Sequence, residues 1–396
     1  MAHLANQAVP PIISFVGQIL VHSFSSQQTR TMTSLDLPQS ASTVEVFLID
    51  SGARLDFPAQ QFMTPAIRGY DRMAVPSYCF LVTHPSGQRI LFDLSIRSDI
   101  QNLAPLFAER CTNTASSGWK ISSPHNVSDI LVANGVPLAD INAIIWSHHH
   151  FDHTGDPSLF PSSTNLVVGP GFTRNFTPGW PEQPESPVKS ADWHGRTLRE
   201  IQFDEQQLKI GRFPAVDWFG DGSFYLLHTP GHTPDHMVGL ARVQSDSFVL
   251  MGADFAHHPG EFRPSKHSPM PERIRPSPLP SHPRFGSVCP GHLFHSLGRH
   301  PGANDSPFFE PAEEYTHDFD ECLRTIDLLT KFDADERVLV LTAHDHSLLP
   351  IFTGAEDGNA GWCFPHRTLN GWREAGLADR GRWRFLNDFR DAVGEE

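Results

Sequence analysis

The stretch Ser147–Asp156, SHHHFDHTGD, decides how this chain is read. It sets His148, His150, Asp152 and His153 within six positions, directly after the apolar run Ile141 to Trp146. That run is short and β-branched, which predicts a buried strand. Loops at strand ends are where ligands converge, and imidazole and carboxylate suit zinc and similar divalent ions. Six residues cannot all point at one ion. Alternation along an extended loop lets His148 and His150 face one metal while Asp152 and His153 face another, so two metals are expected. His149, between two of these, is expected to point away from the metals, into packing or into support behind the ligands, and Asp156 to cap the segment that follows.

Partners for this cluster occur further along. In HTPGHTPDH, His228 to His236, a strand ends near His228, and Pro230 and Gly231 force a turn that can present His232. FVLMGAD places Asp254 at another strand end, 254 − 232 = 22 residues later, where one carboxylate could bridge two ions. VLVLTAHDHS places His344 after a last apolar strand. Each is weak alone; together they give seven ligands, His148, His150, Asp152, His153, His232, Asp254 and His344, at four strand ends.

Composition narrows the partners. The 396 residues carry 30 Lys+Arg against 45 Asp+Glu, a formal charge of −15. With no basic run, nucleic acid is not an expected partner, because its binders gain affinity by clustering cations on phosphates. No membrane partner is expected either, since Ile12 to Phe24 is too short and too polar to span a bilayer. Five scattered cysteines without a CxxC suggest neither a disulfide framework nor a thiolate cage, and point to a reducing, cytoplasmic setting.

Residues 1–43, rich in Gln, Ser, Thr and Pro, read as a disordered extension in which Met32 is an alternative start, and 44–396 as one catalytic domain. Strands are predicted at Val44 to Ile49, Ser77 to Val82, Arg89 to Leu94, Leu166 to Val168, Phe224 to Leu227, Met237 to Val243, Phe248 to Met251 and Val338 to Thr342. A polar gap follows Asp93, then a helix-like stretch from Val127 to Asn134. Apolar residues at spacings of three and four predict a helix over Glu313 to Lys331. Eleven prolines between Pro264 and Pro311 exclude regular helix or central strand there and predict an ordered insertion or lid over about 262–312. Its histidines, His267 to His300, could equally contact substrate or solvent. Trp372, Trp383, Phe385 and Phe389 predict a docked C-terminal helix.

On its HxHxDH motif, lone histidine, bridging aspartate and final histidine, the chain resembles the metallo-β-lactamase superfamily. The resemblance implies an α/β fold, the αββα sandwich with its metals on one rim, and the Pro-rich insertion near that rim. It implies His148, His150 and His232 at the first metal, Asp152, His153 and His344 at the second, and Asp254 between them. Asp93, in ILFDL, resembles the family's early aspartate that steadies a ligand histidine. HHHFDHTGDPSLFPSSTNLVVGPGF, GEFRPS and CPGHLF resemble a fungal lactamase and lactonase-like branch, whose members open lactams and cyclic carbamates in detoxification.

Two divalent metals, expected to be zinc and about 3.5 Å apart, would generate a bridging hydroxide that attacks a small-molecule carbonyl. Asp152 is the candidate proton carrier. Lactonases of this fold often place a tyrosine three residues after the bridging aspartate. Here that position is His257, a catalytic candidate, with Arg263 available for an anionic group of the substrate. Family members that reduce oxygen with iron place an acid where His150 stands, so hydrolysis is favoured. The expected function is opening of a lactam, cyclic carbamate or lactone in detoxification or secondary metabolism. The alternative is a thioesterase releasing a polyketide from an acyl carrier protein, which needs a basic docking surface. Basic C-terminal residues, usual in thioesterases that cleave glutathione conjugates, are available as Arg373, Arg380, Arg382 and Arg384.

Overall fold

The computed structural model describes residues 35–203, 207–280 and 285–393. Two six-stranded sheets organise them. The first runs in spatial order Glu45–Asp50, Tyr78–Thr83, Arg89–Phe92, Ile141–Ile145, Asn165–Val168, Leu198–Glu200. The second runs Leu208–Ile210, Phe213–Asp217, Phe224–His228, Met237–Gln244, Ser247–Met251, Val338–Leu341. Strand alternation decides which face each residue serves. Phe224 and Leu226 meet Phe92 and Ile145 in the core between the sheets. Their neighbours Tyr225 and Leu227 turn to the outer face, beneath Ile326 and Leu329 of the helix Phe319–Ala334. Ile144 and Trp146 likewise pack outward against Leu131 of the helix Val127–Ala133. Burial on both faces explains why these strands read as unbroken apolar runs.

Register brings five strand ends to one rim. Phe92 pairs in parallel with Ile145, and Met251 in parallel with Leu341. His228 lies opposite Met237 in an antiparallel pair, and Gly239 opposite Met251. The loops bearing Asp93, His148, His232, Asp254 and His344 therefore leave from the same edge. The sheets are tied there by the Met237 N–H, which donates to the Ser147 carbonyl at 2.8 Å.

Several expectations need correction. The helix predicted over Glu313 to Lys331 starts at Phe319, because Asp318 caps it by accepting the Glu321 N–H at 3.0 Å. Tyr315 sits before it on a separate short turn. The polar gap after Asp93 contains a helix, Pro105–Thr112, and a strand, Lys120–Ser122. That strand joins Arg54–Pro58 and Arg72–Val75 in a three-stranded sheet outside the sandwich. The Pro-rich segment packs Ile274, Leu279, Cys289, Phe294 and Phe309 into the core of this outer module. The C-terminus is a chain of short turns, Leu377–Gly381, Arg384–Phe389 and Arg390–Val393, docked through buried Phe385 and Phe389. Of the extension expected over residues 1–43, the first 34, with Ile12 to Phe24 and Met32, lie outside the described residues. Leu35 and Leu37 are buried under the second sheet beside Phe332. All five cysteines are free thiols, and no helix among the described residues is long and apolar enough to cross a membrane.

Phe224 is fully buried between the sheets, so Phe224→Ala should lower stability by about 3–5 kcal/mol through lost transfer energy and a residual cavity. Chemical denaturation measures this; a loss below about 1 kcal/mol would mean that the inter-sheet core does not close around that ring.

Candidate metal centre

The seven residues singled out in the sequence meet at this rim. His148, His150, His232 and Asp254 form one group, and Asp152, His153, Asp254 and His344 a second, with donor atoms in each within 4.8 Å of one another. Asp254 belongs to both. Its Oδ2 faces His148 Nε2 at 3.8 Å and His232 Nε2 at 3.7 Å, and its Oδ1 faces His153 Nε2 at 3.1 Å and His344 Nε2 at 3.2 Å. The Asp152 carboxylate reaches His344 Nε2 at 3.3 Å. His150 Nδ1 and His232 Nε2 approach to 3.0 Å. The extended loop expected through the motif reaches only to His150. Asp152 and His153 project from one helical turn, Phe151–Thr154, which turns them away from the first group.

Several of these side chains are held from behind. Asp93, at the end of Arg89–Phe92, accepts from the Ser147 N–H at 2.6 Å and from His153 Nδ1 at 2.9 Å. His344 Nδ1 donates to the Pro76 carbonyl at 2.7 Å, leaving Nε2 for the two carboxylates. Gly231, at φ +130°, presents His232: a Cβ there would lie 2.4 Å from the Cys322 backbone, so the loop can press against the helix only without a side chain. His236 holds the Asp254 backbone, its Nε2 accepting the Asp254 N–H at 3.2 Å and its Nδ1 donating to the Thr229 carbonyl at 3.0 Å.

The electrostatics divide the groups. Burial, with neighbouring imidazoles, holds His148 and His232 well below the usual histidine range and His150 down to about 3, so their lone pairs are free. Burial opposes charge on His153 and His344 too, but Asp254 and Asp152 outweigh it, raising His153 well above its usual range and His344 to about 10. The second group thus draws positive charge toward buried carboxylates. His148 Nε2 is buried without a hydrogen-bond partner, and His153 Nε2 meets only the carboxylates of Asp254 and Asp152. Imidazole nitrogens converging on a shared carboxylate suit a pair of divalent cations.

A cavity of about 630 Å³ opens over the two groups. The outer module gives it an aromatic wall: Phe57, Phe62, Phe107 and Trp119, joined by Phe151 and Tyr315. His257 lines it, with Nε2 3.6 Å from Asp254 Oδ2, a buried Nδ1 without a partner, and its backbone N–H donated to Glu261 Oε1 at 2.9 Å. Arg110, Arg174 and His317 also line it and carried no motif in the sequence. Arg263 does not serve the site, because its guanidinium is committed to the buried Asp333 carboxylate. No described residue of 262–312 lines the cavity, so a lid role is not realised there. Asp156 accepts the Ser158 N–H at 3.1 Å, the capping role expected, and also pairs with Arg97 at 2.8 Å.

The model of the metallo-beta-lactamase superfamily matches residues 72–340. The chain belongs to that superfamily. It is 41% identical over 365 residues to a gamma-lactamase of Fusarium pseudograminearum, covering 89% of this chain and 84% of that one. It is 41% identical over 366 residues to a metallo-hydrolase of Annulohypoxylon moriforme, covering 91% of each. Among solved structures, an N-acyl homoserine lactone hydrolase with its product at the catalytic metal center superposes at a TM-score of 0.51 with 18% identity, over 82% of this chain and 99% of that one. This superfamily member is a hydrolase related to fungal lactamases. The thioesterase alternative is not supported by these relatives. The four C-terminal arginines also miss the cavity, pairing instead as Arg373 with Glu336, Arg380 with Asp357, Arg382 with Asp333 and Arg384 with Glu356.

Asp93→Asn keeps the shape but weakens the acceptor that aims His153. It should lower divalent-metal affinity about 10–100-fold, as outer-shell changes typically do. Competition against a chromophoric chelator reads this directly, and unchanged affinity would remove Asp93 from the support of the site.

Proposed function

We propose that this hydrolase opens the ring of a lactam, cyclic carbamate or lactone, using two zinc ions held by His148, His150 and His232 on one side and Asp152, His153 and His344 on the other, with Asp254 shared. The single observation that carries this reading is the pair of donor groups joined through the two oxygens of Asp254. The imidazole-rich donor set favours zinc over harder cations. Two such ions would make water acidic enough to ionise near neutral pH and would polarise the scissile carbonyl. The Asp152 carboxylate takes the proton of the attacking water and returns it to the departing nitrogen or oxygen. His257 offers its imidazole to the carbonyl oxygen or the leaving group. Support for that role is its partnerless Nδ1 and a ring 4.8 Å from that of His232. The aromatic wall takes up the apolar body of the substrate and keeps bulk water from the reacting ring. A gamma-lactamase and a metallo-hydrolase at 41% identity support the substrate class. Five free thiols support a reducing, cytoplasmic location.

Metal analysis of the purified protein should find two zinc equivalents. Activity on a panel of lactams, cyclic carbamates and lactones should vanish with chelator and return with zinc. Ring opening that persists in metal-free protein would end the reading. His150→Ala should cost one metal equivalent and more activity than the about 10–100-fold of an outer-shell change; full turnover with altered metal content would exclude His150 from the chemistry.

A further inference from the structure

One polar pair in the cavity wall has no part in the two donor groups. His149 does not point idly away from its ligand neighbours: its Nδ1 is bonded to Asp235 Oδ1 at 2.9 Å, and its ring stands 4.9 Å from that of His150. The ring lies against Phe176, with centroids 4.0 Å apart, and both line the cavity. Asp235 is 1% exposed. Its backbone packs closely on the chain leaving the strand Asn165–Val168, where a Cβ on Gly169 would sit 1.8 Å from the Asp235 carbonyl oxygen. Burying a carboxylate against an imidazole costs solvation that an apolar pair of the same volume would avoid. A wall needed only for packing has no use for that expense.

The chemistry of the pair defines what it recognises. A carboxylate accepts only, so His149 Nδ1 carries the proton, and in the neutral imidazole Nε2 is left with a lone pair. Nε2 has no hydrogen-bond partner among the described residues. It forms a fixed acceptor on the cavity wall, one ring away from the first donor group.

We infer that the Asp235–His149 pair is a recognition subsite in which Nε2 accepts a hydrogen bond from an N–H of the substrate ring, so that the enzyme selects N–H lactams and cyclic carbamates over the matching lactones. The inference rests on the ring-opening function proposed above and names its preferred substrate. Sites built to pair a substrate N–H or O–H reject analogues that lack it far more strongly than apolar pockets reject a missing methylene.

The test compares kcat/KM for a lactam and the lactone of identical ring size and substituents, in zinc-loaded wild type and in His149→Leu, His149→Gln and Asp235→Asn. His149→Leu should lower the lactam-to-lactone ratio at least about tenfold, the scale of one lost hydrogen bond to the substrate. His149→Gln keeps an acceptor oxygen and should recover part of the ratio. Asp235→Asn turns the acceptor facing Nδ1 into an amide that can donate, so Nε2 gains the proton, and the ratio should fall as in His149→Leu. A ratio within twofold of wild type in both His149→Leu and Asp235→Asn, with two zinc equivalents retained, overturns the subsite. If His149→Leu fails to fold or loses zinc, the ratio in Asp235→Asn alone decides. Wild type that opens neither ring would overturn the proposed function itself, and the subsite with it; that failure is distinct from an active enzyme whose preference the variants leave unmoved.

Discussion

The backbone of Ser147 is the point on which this molecule depends. Its N–H is taken by Asp93, from the strand beside it in the first sheet, and its carbonyl by the N–H of Met237, from the second sheet. Two sheets whose apolar side chains fix spacing but little register are thereby tied at one rim, where the Tyr78 N–H also donates to the Ala343 carbonyl at 3.0 Å. Everything that follows Ser147 along the chain inherits that lock: His148 and His150 on the extended segment, Asp152 and His153 on the single turn after it. Asp93 spends its second oxygen on His153, so the same carboxylate that sets the register also aims a ring.

Around that point the molecule accepts an electrostatic cost no ordinary core would carry. Asp93, Asp152 and Asp254 are all buried, among five imidazoles also withdrawn from water. Buried charge is tolerated where it is paired and hydrogen-bonded or where it holds a cation. Here the pairing is uneven. Three rings are driven toward neutrality by burial, and two toward positive charge by Asp152 and Asp254. Pro76 orients the His344 ring from behind, and Thr229, through His236, holds the Asp254 backbone. The aromatic wall, supplied by a module outside the sandwich, then decides what reaches the centre.

Much of this was legible in advance because the signals are local or carry strong chemistry. A β-branched run ending in histidine or aspartate is a strand presenting a ligand; four such ends pointed to the seven donor residues, and the resemblance they carry implied the sandwich. Asp93 was legible through the family resemblance that ILFDL carries. What escaped were features whose sequence signals are ordinary. Phe107 and Trp119 lie in a stretch that reads as a polar gap, since a short helix and a three-residue strand leave too little periodicity to register. The proline count carried no direction: the segment forms only short pieces, such as the pair Arg273–Ile274 and Cys289–Pro290, and packs into the outer module. Arg263 looked like a substrate anchor because a lone arginine near a ligand motif shows nothing of its partner, which lies 70 positions away at Asp333.

His149 shows where the boundary falls. Its residue type was visible, and so was its position between two ligands, but alternation alone could only send it away from the metals. That it meets a carboxylate 86 positions along the chain is a consequence of how the loop Thr229–His236 folds over the strand ending at Val168. Residue types and their spacing, which depend on nothing but the chain, determined the fold family, the donor set and the class of chemistry. The walls, the partners of each arginine and histidine, and the face that a substrate meets were decided by long-range packing, because a contact between distant segments exists only once the sheets have closed and has no local period to betray it.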